Sequence, residues 1–175
     1  MSSKFERTAS ETVYEGKFFG VRKEVFRHED GEDAEREIVV HTGAVGIVAL
    51  DGDQLWFVRQ PREAIGDPDC LELPAGKLEE GEEPMATAKR ELAEEIGKAA
   101  EHWEPLTSYY SSVGVMDEEV HVVLATGLTD AEAEAEDTER IEIVRWPLDD
   151  LDGALAATKD AKTIIGLLLL RNRLR

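Results

Sequence analysis

The sequence predicts an α+β domain of layered-sandwich type, preceded by an N-terminal β segment. Three observations point there. Short apolar runs alternate with turn residues through the first half of the chain, the pattern of strands and hairpins. Residues 84–96 carry apolar side chains at helical spacing between a proline and a glycine. Strands and helices are mixed without a strict βαβ rhythm, which selects α+β.

Residues 10–41 supply strand formers (Phe18, Phe19, Val21, Val25, Phe26), a turn at Asp30-Gly31, and a further short strand at Arg36–His41. Gly43–Leu50 reads as a buried strand, Asp51-Gly52 as a hairpin turn, and Gln54–Gln60 as the return strand. Pro61–Cys70 reads as a loop, followed by Leu71-Glu72-Leu73 and a turn at Pro74-Ala75-Gly76. Pro84 suits the first position of the helix and Gly97 its stop. Met85, Ala88, Leu92 and Ile96 share its buried face. Strands are expected at Trp103–Tyr110, Val120–Thr126 and Ile141–Trp146. The charge run Asp130–Glu139 between the last two reads as a solvated loop. Helices at Leu148–Ala157 and Asp160–Leu174 complete the chain, with Asp160 as the cap of the second. The division expected is an N-terminal β segment over 1–41 and one domain over 42–175.

Composition narrows the function. The 175 residues hold 39 acids and 20 bases, a net charge of −19. Such a surface repels duplex nucleic acid and anionic lipid, so neither is an expected partner. It serves solubility, or adaptation to salt. It admits a phosphate substrate where a metal inverts the local field. Cys70 is the single cysteine, and the four histidines show no zinc spacing. The first residues lack a signal-peptide core, and the apolar run Ile164–Leu170 is too short to span a bilayer. The expected location is cytoplasmic.

Glu91, Glu94 and Glu95 fall at i, i+3 and i+4, on one strip beside the apolar face. Like charges so placed cost roughly 0.2–0.5 kcal/mol per pair. A bound hard cation explains them better than stability does, because oxygen-rich sets suit Mg²⁺ or Mn²⁺. Glu91 and Glu95, with ~6 Å of rise between them, can grip one ion or two, and Glu94 can complete the set or orient water.

In full, the spacing is Gly76, five residues, Glu82, seven residues, Arg90-Glu91-Leu92, one residue, Glu94-Glu95, one residue, Gly97. This resembles the Nudix hydrolase signature G-x5-E-x7-R-E-U-x-E-E-x-G-U, where U is aliphatic. Eight of its nine fixed positions are filled, and the ninth finds Lys98. The resemblance implies the Nudix α/β/α sandwich with a mixed sheet, a divalent metal (Mg²⁺ or Mn²⁺), and a backbone carbonyl ligand at Ala75. Arg90 and Glu82 are read as structural, with Arg90 pairing a loop or helix acid.

Two further stretches are similar to the ADP-ribose pyrophosphatases of that family. Val58-Arg59-Gln60-Pro61-Arg62 followed by Leu71–Gly76 matches V-x-Q-x-R … E-x-P-A-G. Tyr109–Glu118 matches Y-x-S-P-G-x-x-D-E, except that Val113 stands for the proline. The closing helix, with Asp160-Ala161-Lys162-Thr163, is also similar. The resemblance makes Glu118, on a mobile loop, a general base or an extra metal ligand, with Glu94 the other candidate base. A surface charge beside Asp117 and Glu119 is the alternative for Glu118. Arg62 would hold a phosphate or the terminal ribose side, or else pair with Glu63. Phe18 would stack on adenine or fill the core. Arg36 and Glu37 would touch base or ribose, and Gly114 would bind substrate. Subfamily members are dimers that exchange N-terminal strands, which implies a homodimer here with 1–41 completing each site.

The function expected is metal-dependent hydrolysis of the diphosphate of ADP-ribose, or of a related nucleoside diphosphate sugar. ADP-ribose would give AMP and ribose 5-phosphate. The alternatives are another NDP-sugar, a dinucleotide polyphosphate, or a non-catalytic sensor that binds ADP-ribose. The intact glutamate set argues against the sensor.

Overall fold

A computed structural model describes residues 4–132 and 140–175. Of the expected acidic loop, 133–139 lies outside the described residues. The chain divides into two units, Met1–Gly43 with Tyr110–Glu119, and Ala44–Tyr109 with Val120–Arg175.

The first unit is an antiparallel meander of β1 (Phe5–Glu15), β2 (Gly20–His28) and β3 (Asp33–Val40). The Asp30-Gly31 turn joins β2 to β3, with Gly31 at φ 84°. β1 is exposed along its whole length, including Phe5, Val13 and Tyr14. The 110–119 segment is tied to this sheet. Val39 N donates to Val115 O at 2.8 Å, and Asp117 N donates to Val39 O at 3.1 Å.

The second unit follows alternation on a doubly covered sheet. Its strands are β4 (Ala44–Asp51), β5 (Gln54–Arg62), β6 (Asp67–Glu72), β7 (Ala75–Lys77), β8 (Lys98–Tyr110), β9 (Glu119–Asp130) and β10 (Glu142–Pro147). The order is β10-β5-β4-β9-β8, with β6 on β5 and β7 on β4. β4 and β9 run parallel while β4–β5, β4–β7, β5–β6 and β5–β10 are antiparallel, so the sheet is mixed. Helix α1 (Pro84–Ile96) packs Ala88, Leu92 and Ile96 against Val45, Ile47 and Ala49 on one face. α2 (Leu151–Ala157) and α3 (Ala161–Arg173) pack Leu151, Ala154, Leu167 and Leu170 against Val48, Phe57 and Leu71 on the other. The expected three-layer α+β sandwich is the fold.

α1 begins at Pro84 and stops at Gly97, whose φ of 65° suits glycine and whose N–H satisfies the Ala93 and Leu92 carbonyls. Asp160 caps α3 by accepting from Thr163 N at 2.9 Å. The expected loop 61–70 is mostly strand. β5 runs on through Pro61 to Arg62, and the register shifts between Gln60 and Arg62. Pro61 therefore sits at an irregularity where its missing N–H breaks no regular ladder. Ala75-Gly76, expected as a turn, pairs with β4, a choice made by strand partnership rather than local propensity.

Candidate active site

The Nudix-like box places its residues around the β7–α1 corner of the second unit. Glu95 is 7% exposed, inside the buried face of α1 rather than beside it as expected. Its carboxylate accepts the Ala75 N–H at 2.8 Å, so the burial is compensated by a charge-assisted bond. Glu91 and Glu94 are partly buried. Arg90 donates to both, at 2.7 and 3.0 Å. It also donates to the loop residue Glu82, at 3.3 and 3.1 Å. This is the expected structural pairing. The bond to Arg90 and the Glu79 N–H hold Glu82 down at about 2. The repulsion argued from spacing alone is thus partly relieved by the chain's own guanidinium, which the spacing did not show.

Among the described residues, no three acid, histidine or cysteine side chains converge as a ready-made metal cluster. The donor chemistry nevertheless fits a hard dication. Three carboxylates lie within two turns, and the backbone N–H of Ala75 binds one of them. The backbone at 76 also makes room for this set. A Cβ there would stand 1.8 Å from Glu91 Oε1 and 1.9 Å from its carboxyl carbon. Gly76→Ala should therefore evict the Glu91 carboxylate and lower turnover about a hundredfold, a misplacement effect. The double variant with Glu91→Gln should be no worse than either single one. Additive losses in kcat would show that Gly76 acts in another way.

Lys98, at the box's aliphatic ninth position, is partly buried. Its ammonium sits 4.8 Å from the Trp56 ring centre and pairs with Asp130. A long amphipathic side chain thus meets the packing demand of an aliphatic one.

Arg62 does not pair with Glu63. Its fork grips Glu72, at 2.5 and 2.7 Å. Lys162 reaches the same carboxylate at 2.6 Å and Asp160 at 3.0 Å. Glu72 is 2% exposed. Burial alone would raise its pKa, but the bonds and charges of Arg62 and Lys162 prevail and bring it down to about 2. The single charged residue in the run Leu71-Glu72-Leu73 was the available signal for this centre, and only the fold reveals its two cations.

The remaining predicted residues belong to the first unit. Phe18 lies between β1 and β2, 65% exposed, with the Lys17 ammonium 5.3 Å from its ring centre. Its core alternative is overturned. Arg36 and Gly114 meet at a cavity of about 570 Å³, lined also by Phe5, Phe26, Tyr110 and Val115. Glu37 is exposed on β3 and is not among the residues lining it. Glu118 is partly buried beside His41, with Oε1 3.4 Å from Nδ1. Its loop is hydrogen-bonded to β3 rather than detached. Val113 occupies the second position of a turn closed by Val115 N donating to Ser112 O at 3.0 Å. Proline favours that position, so valine there preserves the turn.

A mixed sheet lies between helical layers, with a glutamate-rich helix against a glycine corner, so the class defined is an α/β/α sandwich with a carboxylate-lined corner. Comparison with known proteins narrows this to a family. The NUDIX domain matches residues 40–167. The chain is 39% identical to the ADP-ribose pyrophosphatase of Bacillus subtilis (strain 168), over 86% of this chain and 83% of that one. It is 33% identical to the methanol dehydrogenase activator of Bacillus methanolicus, over 90% and 88%. A crystal structure of an ADP compounds hydrolase superposes with a TM-score of 0.85 at 25% identity, covering 98% of this chain and 94% of that one. The chain belongs to the Nudix family, as a pyrophosphohydrolase.

Proposed function

We propose that the protein hydrolyses the diphosphate of ADP-ribose, or of a closely related nucleoside diphosphate sugar, with a divalent cation. The observation that carries the reading is the Glu91/Glu94/Glu95 set, packed against Gly76 and tied to Ala75. Similarity to an ADP-ribose pyrophosphatase and to an ADP compounds hydrolase supports the substrate class. Ala75, Glu91, Glu94 and Glu95 would hold Mg²⁺ or Mn²⁺, which supplies charge neutralisation and a more acidic water. Glu118 or Glu94 takes the proton of the water that attacks phosphorus. The P–O bond on the far side breaks, and ADP-ribose yields AMP and ribose 5-phosphate. Arg62, preset by Glu72, offers guanidinium N–H groups to a substrate oxygen. Phe18, Arg36, Glu37 and Gly114 contact the base and ribose.

Two copies pair through residues 1–41, a reading supported by the exposed apolar side chains of β1. Light scattering should give twice the chain mass, and the mass of a single chain at micromolar concentration would refute the pairing.

Release of AMP from ADP-ribose, measured with Mg²⁺ and with chelator, tests the activity. Mg²⁺-dependent AMP is expected. Tight binding of ADP-ribose without AMP would replace the enzyme by a sensor. Preferential cleavage of another member of a panel (ADP-glucose, GDP-mannose, NADH, diadenosine polyphosphates) would move the substrate but keep the reaction.

A further inference from the structure

We propose that Asp117 is a positioning residue for Glu118, fastening the loop that carries Glu118 to the end of β3. The inference rests on the reading that Glu118 takes part in turnover.

The loop is stitched by four hydrogen bonds, all within the first unit. Val39 donates to Val115 O at 2.8 Å, and Asp117 N donates back to Val39 O at 3.1 Å. Beyond the last residue of β3, the ladder would end and leave the His41 N–H without a strand partner. The Asp117 carboxylate takes that donor at 2.8 Å, so backbone and side chain of one residue hold two successive points at the end of β3, Val39 O and the His41 N–H. Ser111 N donates to Glu118 O at 3.1 Å and closes the other side of the loop. Glu118 is the next residue after the clamp, so its Cα follows wherever Asp117 is held.

The neighbouring imidazole does not do this work. His41 Nδ1 lies 3.4 Å from Glu118 Oε1, yet it also accepts the Gly43 N–H at 3.0 Å. A nitrogen that accepts a hydrogen bond carries no proton to donate. The Gly43 N–H occupies Nδ1, so that nitrogen does not donate to Glu118. The Glu118 side chain is therefore kept in place by its backbone, and the backbone by Asp117.

Both the chemistry and the clamp can be read separately. Asp117→Ala should lower kcat for ADP-ribose with Mg²⁺ about tenfold, within the range set by small misplacements of a reacting group, and leave KM within about twofold. Asp117→Asn keeps an acceptor oxygen and should stay within about twofold of wild type. In a Glu118→Gln background, Asp117→Ala should cost nothing more, because a residue that acts through Glu118 has nothing left to position. Amide hydrogen exchange supplies a readout that needs no turnover. The His41 N–H should exchange about tenfold faster in D117A than in wild type or D117N, as expected for a lost protecting bond. Equal losses from D117A in both backgrounds, or unchanged exchange at His41, overturn the role of Asp117 and leave the proposed reaction standing. Undiminished turnover by E118Q overturns the role of Glu118 and that of Asp117 with it.

Discussion

Replacing Glu95 by Gln should lower turnover about a thousandfold, equivalent to roughly 4 kcal/mol of barrier, while the fold survives. The two halves of this expectation have separate causes. Glu95 is buried in the α1 face, and its carboxylate accepts the Ala75 N–H at 2.8 Å. A glutamine oxygen can accept the same N–H, so the β7–α1 corner keeps its bond. What glutamine lacks is the negative charge that would offset the charge of a bound dication. Steady-state kinetics together with a melting curve check both halves. Activity within a few-fold of wild type would remove Glu95 from the proposed metal site. A lost melting transition would show a structural role that the Ala75 bond does not account for.

The largest effect on stability is expected at Glu72. Its folded-state pKa of about 2 lies below the ordinary carboxyl value of 4.5. The unfolded chain therefore takes up the proton first as pH falls. The stability that the charge contributes is complete above about pH 4.5, and it is lost progressively as pH drops toward 2. At 1.36 kcal/mol per pH unit the contribution is about 3 kcal/mol. Glu72→Gln removes it and leaves Arg62 and Lys162 facing a neutral amide, the broken-pair case that costs more than absence of the pair. For a chain of this length the melting temperature at pH 7 should fall by roughly 5–10 °C. The difference between the two proteins should shrink as pH falls below about 4.5 and close only as pH approaches 2. Parallel melting curves from pH 7 to pH 3, with no difference between them, would mean that Glu72 contributes no net stability through its charge.

The same residue shows where local reading ends. Leu71-Glu72-Leu73 has the composition of a buried strand, and it is one up to Glu72. Nothing in those three letters says that Arg62 and Lys162, 10 and 90 positions away in the chain, arrive at one carboxylate. Arg62 illustrates the converse. Its neighbour Glu63 was a reasonable ion-pair partner by proximity in sequence, but the long Arg62 side chain reaches Glu72, which stands opposite Val58 in the β5–β6 register. The loop expected over 61–70 fails for the same reason. Its prolines and acids favour a turn locally, while hydrogen bonding to β5 makes residues 67–72 a strand. The N-terminal residues follow this pattern too. Phe18 has strand-forming character but sits in an exposed connection, and Arg36 and Gly114 meet at one cavity through contacts between β3 and a distant loop.

Period and spacing along the chain were enough for the helix from Pro84 to Ile96, its stop at Gly97, the layered fold class, and the family to which the ordered glutamates belong. These are matters of period and spacing along a few turns of chain, where backbone geometry alone places side chains on a face. Tertiary structure decided what each of those side chains touches. It sank Glu95 into the helix face, laid Arg90 across Glu91 and Glu94, gave Glu72 its two cations, and bound the Glu118 loop to β3. Such contacts join residues far apart in the chain. They depend on which strands pair and which faces are covered, and no local pattern encodes that choice.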